Sequence, residues 1–404
     1  MPVTLKDIEA ARRRIARGVV LTPCPESKPL SELTGCRIFS KLDNLQRTGS
    51  FKERGALNAL LRLPAAQRKR GVIAASAGNH ALGLTYHGRR LGIPVTVVMP
   101  TYAPLIKLST CRELGANVIV RGASFAEARA VADELVAKEG FTYINGYDHP
   151  DVIAGQGTMG LEILRQAREL DAIVVPVGGG GLIAGIAVAV KALRPRVKVI
   201  GVESRATASL TAALKAGRPV ATEAKPTLAD GLAVAQVGDN TFKIIRCLVD
   251  EVVVVDEKWI SLAVLRLLEL EKNVVEGAAA APLAAILAGK LPKLAGKRVV
   301  LTLCGGNIDP AILGRVINRG LVADGRLCRF TAEISDRPGG LARLTSIIAA
   351  TGASVRDIIH DRAFSGPDVS AVRAICTVDT RDHAHIRELQ RSLRRHGIPV
   401  EVAR

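Results

Sequence analysis

Short apolar runs rich in β-branched residues recur along the first three quarters of the chain. Each run ends in small or glycine-rich residues and is followed by a stretch with helical spacing. Strands that alternate with helices in this way predict an α/β fold with parallel-rich sheets covered by helices on both faces. The predicted strands are residues 72–75, 95–99, 118–120, 173–177, 197–202, 252–255 and 299–303.

The pattern changes after Arg319 and Gly320. Beyond them, the apolar spacing predicts strand, helix, strand, strand, helix and strand, the order of a split ferredoxin-like α+β domain. The predicted elements are residues 327–334, 340–351, 354–360, 369–378, 385–395 and 398–402. We therefore expect two regions, residues 1–320 and residues 325–404, joined by a short linker over 321–325.

One stretch, residues 172–190, carries no charge and is nearly long enough to cross a bilayer. It contains Pro176 and four consecutive glycines, Gly178 to Gly181. Because glycines destabilise a helix interior, we interpret the stretch as a buried strand, a glycine turn and a helix. We expect no membrane association.

Composition narrows the possible functions. The chain of 404 residues is 48% hydrophobic and 23% charged, which is typical of folded domains. Its formal net charge of +18 suggests a nucleic-acid partner, but the basic residues are scattered and aromatic residues make up only 3%. We therefore expect no specific nucleic-acid binding.

The cysteine content and the N-terminal residues indicate the cellular compartment of the protein. The seven cysteines include no Cys-x-x-Cys pair, so we expect reduced thiols, with neither disulfides nor a zinc site. The N-terminal residues carry charges where a signal peptide needs an apolar core. We expect a cytoplasmic protein.

Four turns that follow predicted strands carry small and polar residues. In open parallel sheets ligands bind at the carboxyl ends of strands, so we expect these turns to converge on one cleft. They are residues 76–80 (Ser-Ala-Gly-Asn-His), 178–182 (Gly-Gly-Gly-Gly-Leu), 203–204 (Glu-Ser) and 304–307 (Cys-Gly-Gly-Asn).

The glycine turn at residues 178–182 is a candidate phosphate site. It joins a predicted strand to a helix, where exposed main-chain N–H groups and the helix dipole favour an anion. It lacks both the Gly-Lys-Ser/Thr ending of a nucleotide P-loop and the spacing of Gly-x-Gly-x-x-Gly. Taken alone, these glycines fit close packing of a helix on a sheet equally well.

Lys52 occupies an unusual place for a lysine. Gly49 and Ser50 predict a turn and a helix cap, which puts Lys52 in the first helical turn. A cation there opposes the helix dipole, which lowers the pKa of the amine and suits a Schiff-base nucleophile and proton carrier. The alternative is an ordinary exposed lysine.

These residues together carry a family resemblance. The segment Ser-Phe-Lys-Glu-Arg-Gly at 50–55, Ser-Ala-Gly-Asn-His, the tetraglycine turn and Cys-Gly-Gly-Asn are similar to the motifs of fold-type-II pyridoxal-phosphate enzymes, specifically the threonine/serine dehydratases. The resemblance runs from about Leu5 to Asn318. It implies a catalytic region, residues 1–320, in which a small subdomain at about 45–140 is inserted into a larger one.

The C-terminal region carries a second resemblance. Asp-Arg-Pro-Gly-Gly-Leu, residues 336–341, stands at a predicted strand-to-helix turn and resembles an ACT regulatory domain. This implies an effector site for a branched-chain amino acid and a homo-oligomer, dimer or tetramer. The implied effector-binding residues are Asp336, Gly339, Gly340 and Leu341. The turn is equally typical of a plain helix start.

The first resemblance implies pyridoxal 5'-phosphate as the cofactor. Lys52 would bind it covalently and then remove the α-proton of the substrate, and Phe51 would lie against the ring. Asn79 would donate to the ring hydroxyl oxygen, and Cys304 would face the ring nitrogen. The main-chain N–H groups that would hold the phosphate belong to Gly178, Gly179, Gly180, Gly181 and Leu182.

The turn at residues 76–80 would bind the α-carboxylate of the substrate. Its members are Ser76, Ala77, Gly78, Asn79 and His80. The implied reaction is β-elimination of L-threonine or L-serine to a 2-oxo acid and ammonia. Serine racemases resemble the same motif but carry a serine at the position of Ala77, so we expect elimination without efficient racemisation.

Two positions depart from the family pattern. Glu203 matches a carboxylate of a cation site in some relatives, but Thr207 and Ser209 stand four and six residues on, so we place no metal there. Gly146 stands where relatives often have proline, on a segment that the resemblance places near the substrate side chain, so this departure bears on the expected substrate preference. The alternatives are a dehydratase of another β-hydroxy amino acid, such as 3-hydroxyaspartate or phenylserine, and a non-catalytic amino-acid sensor or RNA-binding protein.

Overall fold

Runs of buried valine, isoleucine and alanine form two parallel-rich sheets in the first unit of the chain, Met1–Ile312. The second unit is Leu313–Arg404. The structure, a computed structural model, describes residues 2–103, 105–362 and 371–402, and of Ile106 only the backbone.

Ten strands of the first unit lie in its described residues. They are β1 (Glu26–Ser27), β2 (Arg37–Leu42), β3 (Val72–Ala75), β4 (Val95–Met99), β5 (Asn117–Val120), β6 (Thr142–Tyr143), β7 (Ala172–Pro176), β8 (Lys198–Ser204), β9 (Glu251–Val255) and β10 (Arg298–Leu303). One sheet has the order β1-β2-β10-β7-β8-β9 and the other has the order β5-β4-β3-β6. Apart from the antiparallel pair β1–β2, the paired strands of these described sheets run parallel.

Helices connect and cover these strands. They are α1 (Leu5–Ile15), α2 (Lys28–Thr34), α3 (Lys52–Arg62), α4 (Ala65–Arg70), α5 (Asn79–Leu91), α6 (Leu105–Glu113), α7 (Phe125–Glu139), α8 (Pro150–Gln166), α9 (Gly181–Leu193), α10 (Ser209–Ala216), α11 (Asp239–Leu248), α12 (Glu257–Glu271) and α13 (Gly277–Leu287). The central strands β3, β4 and β7 are buried along their whole length, as expected for parallel sheets covered on both faces. The α/β prediction is confirmed.

Glycines bring α8 very close to the two helices that carry site residues. A Cβ at Gly155 would stand 2.6 Å from the carbonyl oxygen of Arg54 in α3. A Cβ at Gly157 would stand 2.8 Å from the carbonyl oxygen of Gly185 in α9. Because no side chain fits at either crossing, α8 fixes the starts of α3 and α9 relative to each other.

A buried ion-pair cluster holds α3 in place. The guanidinium of Arg54 binds Asp43 at 2.7 Å and Glu162 of α8 at 2.6 Å, and Arg54 and Asp43 are fully buried. Lys41 of β2 binds the same Glu162 at 2.6 Å. The charges of this cluster compensate each other. Arg54 lies two residues after Lys52, so the cluster determines where α3 begins.

The second unit has the predicted order of elements. The helix α14 (Pro310–Ala323) covers residues 321–323 of the predicted linker, and it is followed by β11 (Leu327–Ser335), α15 (Gly340–Ala350), β12 (Ser354–Asp361), β13 (Ala371–Asp379), α16 (His383–Arg395) and β14 (Val400–Val402). The sheet order is β12-β13-β11-β14 with antiparallel pairing. This is the split ferredoxin-like arrangement. The predicted start of the second-last strand, residues 369 and 370, lies outside the described residues.

Three strands are absent from the sequence-based prediction. Two of them, β1 and β6, have only two residues each, too few for a periodic signal. The third, β2, contains Arg37 and Lys41, and the buried amine of Lys41 is compensated by Glu162, by Gln166 and by the carbonyl oxygen of Thr22. A buried charge breaks the apolar pattern by which strands are recognised.

Two further predictions concern the uncharged stretch 172–190 and the exposure of four histidines in the second unit. Residues 172–190 form β7, the glycine turn and most of α9, as predicted, and no helix in the described residues is long and apolar enough to span a bilayer. His360, His383, His385 and His396 show no metal-ligand pairing in the sequence, which therefore predicts surface positions for them, and this prediction is wrong for His385. It is 2% exposed, and its Nδ1 accepts from Arg381 N at 3.1 Å.

Candidate active site

The loop before α3 is fastened to the turn at residues 304–307. The N-cap of α3 is Phe51 rather than Ser50, and Ser50 instead forms a bridge with Gly305. Phe51 N donates to the carbonyl oxygen of Cys304 at 3.0 Å. Lys52 therefore begins its helix directly beside Cys304.

The amine of Lys52 has one direct protein acceptor in the described residues. Its Nζ donates to the carbonyl oxygen of Gly146 at 2.8 Å and lies 5.1 Å from the ring centroid of Phe51. Burial lowers the pKa of Lys52 to about 8, and nearby Cys304 and Glu276 only partly oppose this. Desolvation, rather than the helix dipole, is thus the main cause of the low pKa.

The turn between β3 and α5 offers open main-chain donors. The N-cap of α5 is Gly78, whose N–H is taken by Ser76 Oγ at 3.3 Å. The N–H groups of Ala77, Asn79 and His80 have no acceptor among the described residues. Together with the helix dipole they form a site for a carboxylate.

His80 contributes no positive charge to this turn. Its Nε2 donates to the carbonyl oxygen of Ile144 at 3.0 Å, because a carbonyl oxygen only accepts. Burial lowers the pKa of His80 to about 4, and nearby Lys52 adds to this effect. The imidazole is therefore neutral and serves to hold the turn against the segment around Gly146.

The tetraglycine turn between β7 and α9 presents a second set of open donors. None of the N–H groups of residues 178–182 donates to an acceptor in the described residues. Gly180 has φ +92°, and a Cβ at Gly179 would overlap the ring of Tyr147. A Cβ at Gly181 would stand 2.5 Å from the carbonyl oxygen of Tyr147. Glycine is thus required for the turn to lie against Tyr147 with its amides free.

Cys304 ends β10 as a buried thiol, 2% exposed. Burial raises the pKa of the Cys304 thiol well above its usual value of 9.0, and the carboxyl group of Glu276 raises it further. The thiol is therefore neutral at physiological pH. It can meet a ring nitrogen without supplying a counter-charge.

Asn79 lies in a hydrogen-bond network that joins four segments distant in sequence. Its Nδ2 donates to both oxygens of Glu276, at 2.8 and 3.0 Å, and its Oδ1 accepts from Asn307 Nδ2 at 2.9 Å. Asn307 also donates to the carbonyl oxygen of Thr48 at 2.7 Å. The network brings the turns at 76–80 and 304–307 together with the loop before α3.

The chain matches the sequence profile of a protein family over residues 15–305. The family is described as "Pyridoxal-phosphate dependent enzyme". The matched range contains Lys52, both sets of open amides and Cys304. The chain belongs to this family of pyridoxal-phosphate-dependent enzymes.

Individual members of this family resemble the chain closely. An L-threonine ammonia-lyase of Thermotoga maritima is 45% identical over 400 residues, which cover 99% of both proteins. The solved structure of threonine deaminase isoform 2 from Solanum lycopersicum is 39% identical, with a TM-score of 0.74 over 78% of this chain and 92% of that one. The serine racemase of Dictyostelium discoideum is 37% identical, with a TM-score of 0.72 over 76% of this chain and 100% of that one.

The cleft of this pyridoxal-phosphate-dependent enzyme fits the cofactor. The open amides at the start of α9 suit its phosphate, which needs no side chain there. An amine with a pKa of about 8 suits covalent attachment to the aldehyde. The amine and the open amides come from the loop before α3 and from the turns at 76–80 and 178–182. These three segments are connected through Gly146, Tyr147 and the network around Asn79.

The turn after β8 has a different role from the other three. The carboxylate of Glu203 accepts from Leu210 N at 2.7 Å, from Thr211 N at 2.8 Å and from Thr211 Oγ1 at 2.6 Å. These bonds cap α10. Thr207 is likewise engaged and donates to the carbonyl oxygen of Leu232 at 3.0 Å.

The residues predicted to bind an effector lie in the second unit. Asp336 and Gly339 lie in the turn between β11 and α15, and Gly340 and Leu341 begin α15; Gly339 has φ +96° and acts as N-cap. A Cβ at Gly340 would overlap the carbonyl oxygen of Ser335. Asp336 accepts from Arg362 at 2.9 Å, and Leu341 is 38% exposed.

Glu276 and Tyr147 have no predicted role in the sequence. Glu276 precedes a long apolar helix, where an acid reads as an ordinary helix-start residue. Tyr147 stands in a loop without periodicity. Their roles become visible only in the structure, where Glu276 contacts Asn79 and Tyr147 contacts Gly179. Both partners are remote in sequence.

Proposed function

We propose that this protein is a threonine ammonia-lyase, which converts L-threonine to 2-oxobutanoate and ammonia and L-serine to pyruvate and ammonia. The observation that carries the proposal is the Lys52 amine, with its lowered pKa, beside two helix starts whose amides are open. The full-length similarity to the L-threonine ammonia-lyase of Thermotoga maritima supports it.

The cofactor would be held by residues of three turns. Lys52 would bind it covalently, the amides of residues 178–182 would hold its phosphate, and Phe51 would lie against its ring. Asn79 would donate to the ring hydroxyl oxygen and Cys304 would face the ring nitrogen. When bound, the cofactor stabilises the negative charge that develops on the substrate α-carbon.

The protein groups orient the substrate and move its proton. The open amides of Ala77, Asn79 and His80, with the dipole of α5, would bind the α-carboxylate. The neutral form of the Lys52 amine would take the α-proton, since its pKa lies near physiological pH. The neutral thiol of Cys304 supplies no counter-charge to the ring nitrogen, which limits charge delocalisation and favours loss of the β-hydroxyl group over transamination.

Ala77 separates this activity from racemisation. Racemisation requires a proton carrier on the face opposite Lys52, and the methyl group of Ala77, which packs on the apolar core of the smaller sheet, cannot transfer a proton. We expect D-serine to be a poor substrate. An Ala77→Ser variant should form D-serine from L-serine faster than the wild type does.

The test is 2-oxo acid release from L-threonine, L-serine and D-serine by the purified protein. We expect rapid release from L-threonine, slower release from L-serine and very little from D-serine. No release from the three, but release from 3-hydroxyaspartate or phenylserine, would assign a different dehydratase. No release from any β-hydroxy amino acid would revive the non-catalytic sensor.

We propose further that the second unit is an ACT domain that binds a branched-chain amino acid at Asp336, Gly339, Gly340 and Leu341. Its ferredoxin-like order and the positive φ of Gly339 support this. A variant lacking residues 325–404 should keep threonine deamination and lose its response to isoleucine. An unchanged isoleucine response would place the effector in the catalytic region.

The remaining proposals concern the oligomeric state, the binding partners and the cellular location of the protein. We propose a homodimer or homotetramer that acts on a small amino acid, without nucleic-acid or membrane partners. All seven cysteines lie in the described residues and none forms a disulfide, which supports a reducing compartment such as the cytoplasm. Light scattering of the purified protein tests the oligomer.

A further inference from the structure

The carboxyl group of Glu276 is buried without an ion-pair partner in the described residues. Glu276 is 4% exposed and serves as the N-cap residue of α13, yet its side chain does not cap that helix. Buried carboxylates are costly unless they are bound by donors. The two contacts from the amide of Asn79 are therefore the main compensation for this group.

The surrounding backbone is shaped to admit this carboxyl group. A Cβ at Gly305 would overlap Glu276 Oε1, and a Cβ at Gly231 would stand 3.5 Å from the same atom. Glu276 N donates to the carbonyl oxygen of Gly305 at 3.0 Å, which fixes the backbone. The carboxyl group is thus held on the turn that carries Cys304 and faces Asn79.

The orientation of the Asn79 amide follows from its two partners. Asn307 donates to Oδ1, so the oxygen side of the amide is already occupied. Glu276 accepts from Nδ2, so the nitrogen side is directed toward the carboxyl group. The two oxygens of one carboxyl group lie side by side, so a single N–H of Nδ2 faces both of them, and the second N–H remains available to a ligand. Rotating the amide by half a turn would lose both contacts.

We propose that Glu276 is a positioning residue for the cofactor: through its hydrogen bonds to Asn79 it keeps the Asn79 amide turned as a donor toward the cofactor's ring hydroxyl oxygen. This inference rests on the role of Asn79 in the proposed function. It assigns to Glu276 an effect on cofactor binding and on the electronic state of the bound cofactor. The effect depends on Asn79 being present.

A double-mutant cycle tests this dependence. The dissociation constant for pyridoxal 5'-phosphate is measured by titrating the apoenzymes of the wild type, Glu276→Ala, Asn79→Ala and the double variant, and the visible spectrum of each loaded protein is recorded. We expect each single substitution to weaken cofactor binding about tenfold, the size of one hydrogen bond to a charged group. The double variant should be no weaker than the weaker single variant.

The Glu276→Gln variant separates the positioning of the Asn79 amide from the negative charge of Glu276, because it removes the charge and keeps an acceptor oxygen. Its Oε1 can still accept from Asn79 Nδ2, so its affinity and spectrum should stay close to those of the wild type. Glu203→Ala is the matched control, because it removes another buried carboxyl group that accepts hydrogen bonds. It should lower thermal stability and leave cofactor affinity unchanged.

Three results would overturn the proposal. They are fully additive losses in the double variant, an unchanged spectrum and affinity in Glu276→Ala, and a loss in Glu276→Gln as large as that in Glu276→Ala. If Glu276→Ala does not fold, Glu276→Leu fills the same space without an acceptor and replaces it in the cycle. Failure of the wild-type apoenzyme to bind the cofactor at all would instead contradict the proposed function.

Discussion

Lys52 Nζ donates to the carbonyl oxygen of Gly146 at 2.8 Å, and the Cα of the same glycine faces the ring of His80. One residue of the loop before α8 thus contacts both the amine and the turn that would bind the substrate carboxylate. The next residue, Tyr147, lies against Gly179 of the tetraglycine turn. The short segment 146–147 therefore links the groups that the proposed reaction needs.

Gly146→Ala should disturb this link. A Cβ at residue 146 would stand 2.8 Å from His80 Cγ, too close for any real contact, so the imidazole and the turn at 76–80 must shift. We expect a destabilisation of about 1–3 kcal/mol and a higher KM for L-threonine. Urea unfolding and steady-state kinetics measure the two effects.

Gly314→Ala is the matched control for that substitution. Gly314 lies within α14, and a Cβ there would meet nothing within 4 Å. Alanine should stabilise this helix by about 0.5–1 kcal/mol without changing KM. An unchanged KM in Gly146→Ala would contradict the role given to the Gly146–His80 contact.

Gly179→Ala should weaken binding of the cofactor. The new methyl group would overlap the ring of Tyr147, so the tetraglycine turn or the ring must move and the open amides lose their arrangement. We expect a dissociation constant at least about tenfold higher in an absorbance titration of the apoenzyme.

Removing the ring should reverse part of that loss. In Gly179→Ala combined with Tyr147→Ala the colliding ring is absent, so affinity should recover relative to Gly179→Ala alone. Equal affinities in the single and double variants would show that the collision with Tyr147 is not the cause.

The pKa of Lys52 predicts how cofactor attachment varies with pH. Only the neutral amine can attack the aldehyde, and burial lowers the pKa of this amine from 10.5 to about 8. The attachment rate of the apoenzyme should therefore rise with pH up to about 8 and then level off. Stopped-flow absorbance measures it. A rate that still rises steeply through pH values near the ordinary 10.5 would indicate an unperturbed lysine.

Arg54→Met should destabilise the protein strongly. It leaves the carboxylates of Asp43 and Glu162 with an unmatched buried charge, which costs about 3–5 kcal/mol. Denaturant unfolding of the apoenzyme measures this loss directly.

Arg381→Met provides the comparison. Arg381 pairs with Glu388 at 3.4 Å at the surface, where such a pair contributes about 0.2–1 kcal/mol. Similar losses in the two variants would show that the Arg54 cluster adds little to stability.

Much of the fold was predictable because its signals are local. The buried strands β3 and β4 have the predicted bounds, and the other predicted strands differ by one or two residues at those ends that lie in the described residues. Runs of valine and isoleucine between glycine-rich turns can be recognised as strands without knowing which segments pack against them in space. The unpredicted β2 shows the limit, since Lys41 is compatible with a buried strand only through partners outside that strand, among them Glu162, 121 residues away.

The sequence by itself determined the α/β and ferredoxin-like orders of elements, the tetraglycine turn and the position of Lys52 at a helix start. These depend on residue type and spacing along a few consecutive residues. Tertiary structure alone decided that Gly146 accepts from Lys52, that Tyr147 lies on the tetraglycine turn, and that Glu276 binds Asn79. Asn79 and Glu276 are 197 residues apart, and hydrogen bonding depends on distance in space, which spacing along the chain does not report.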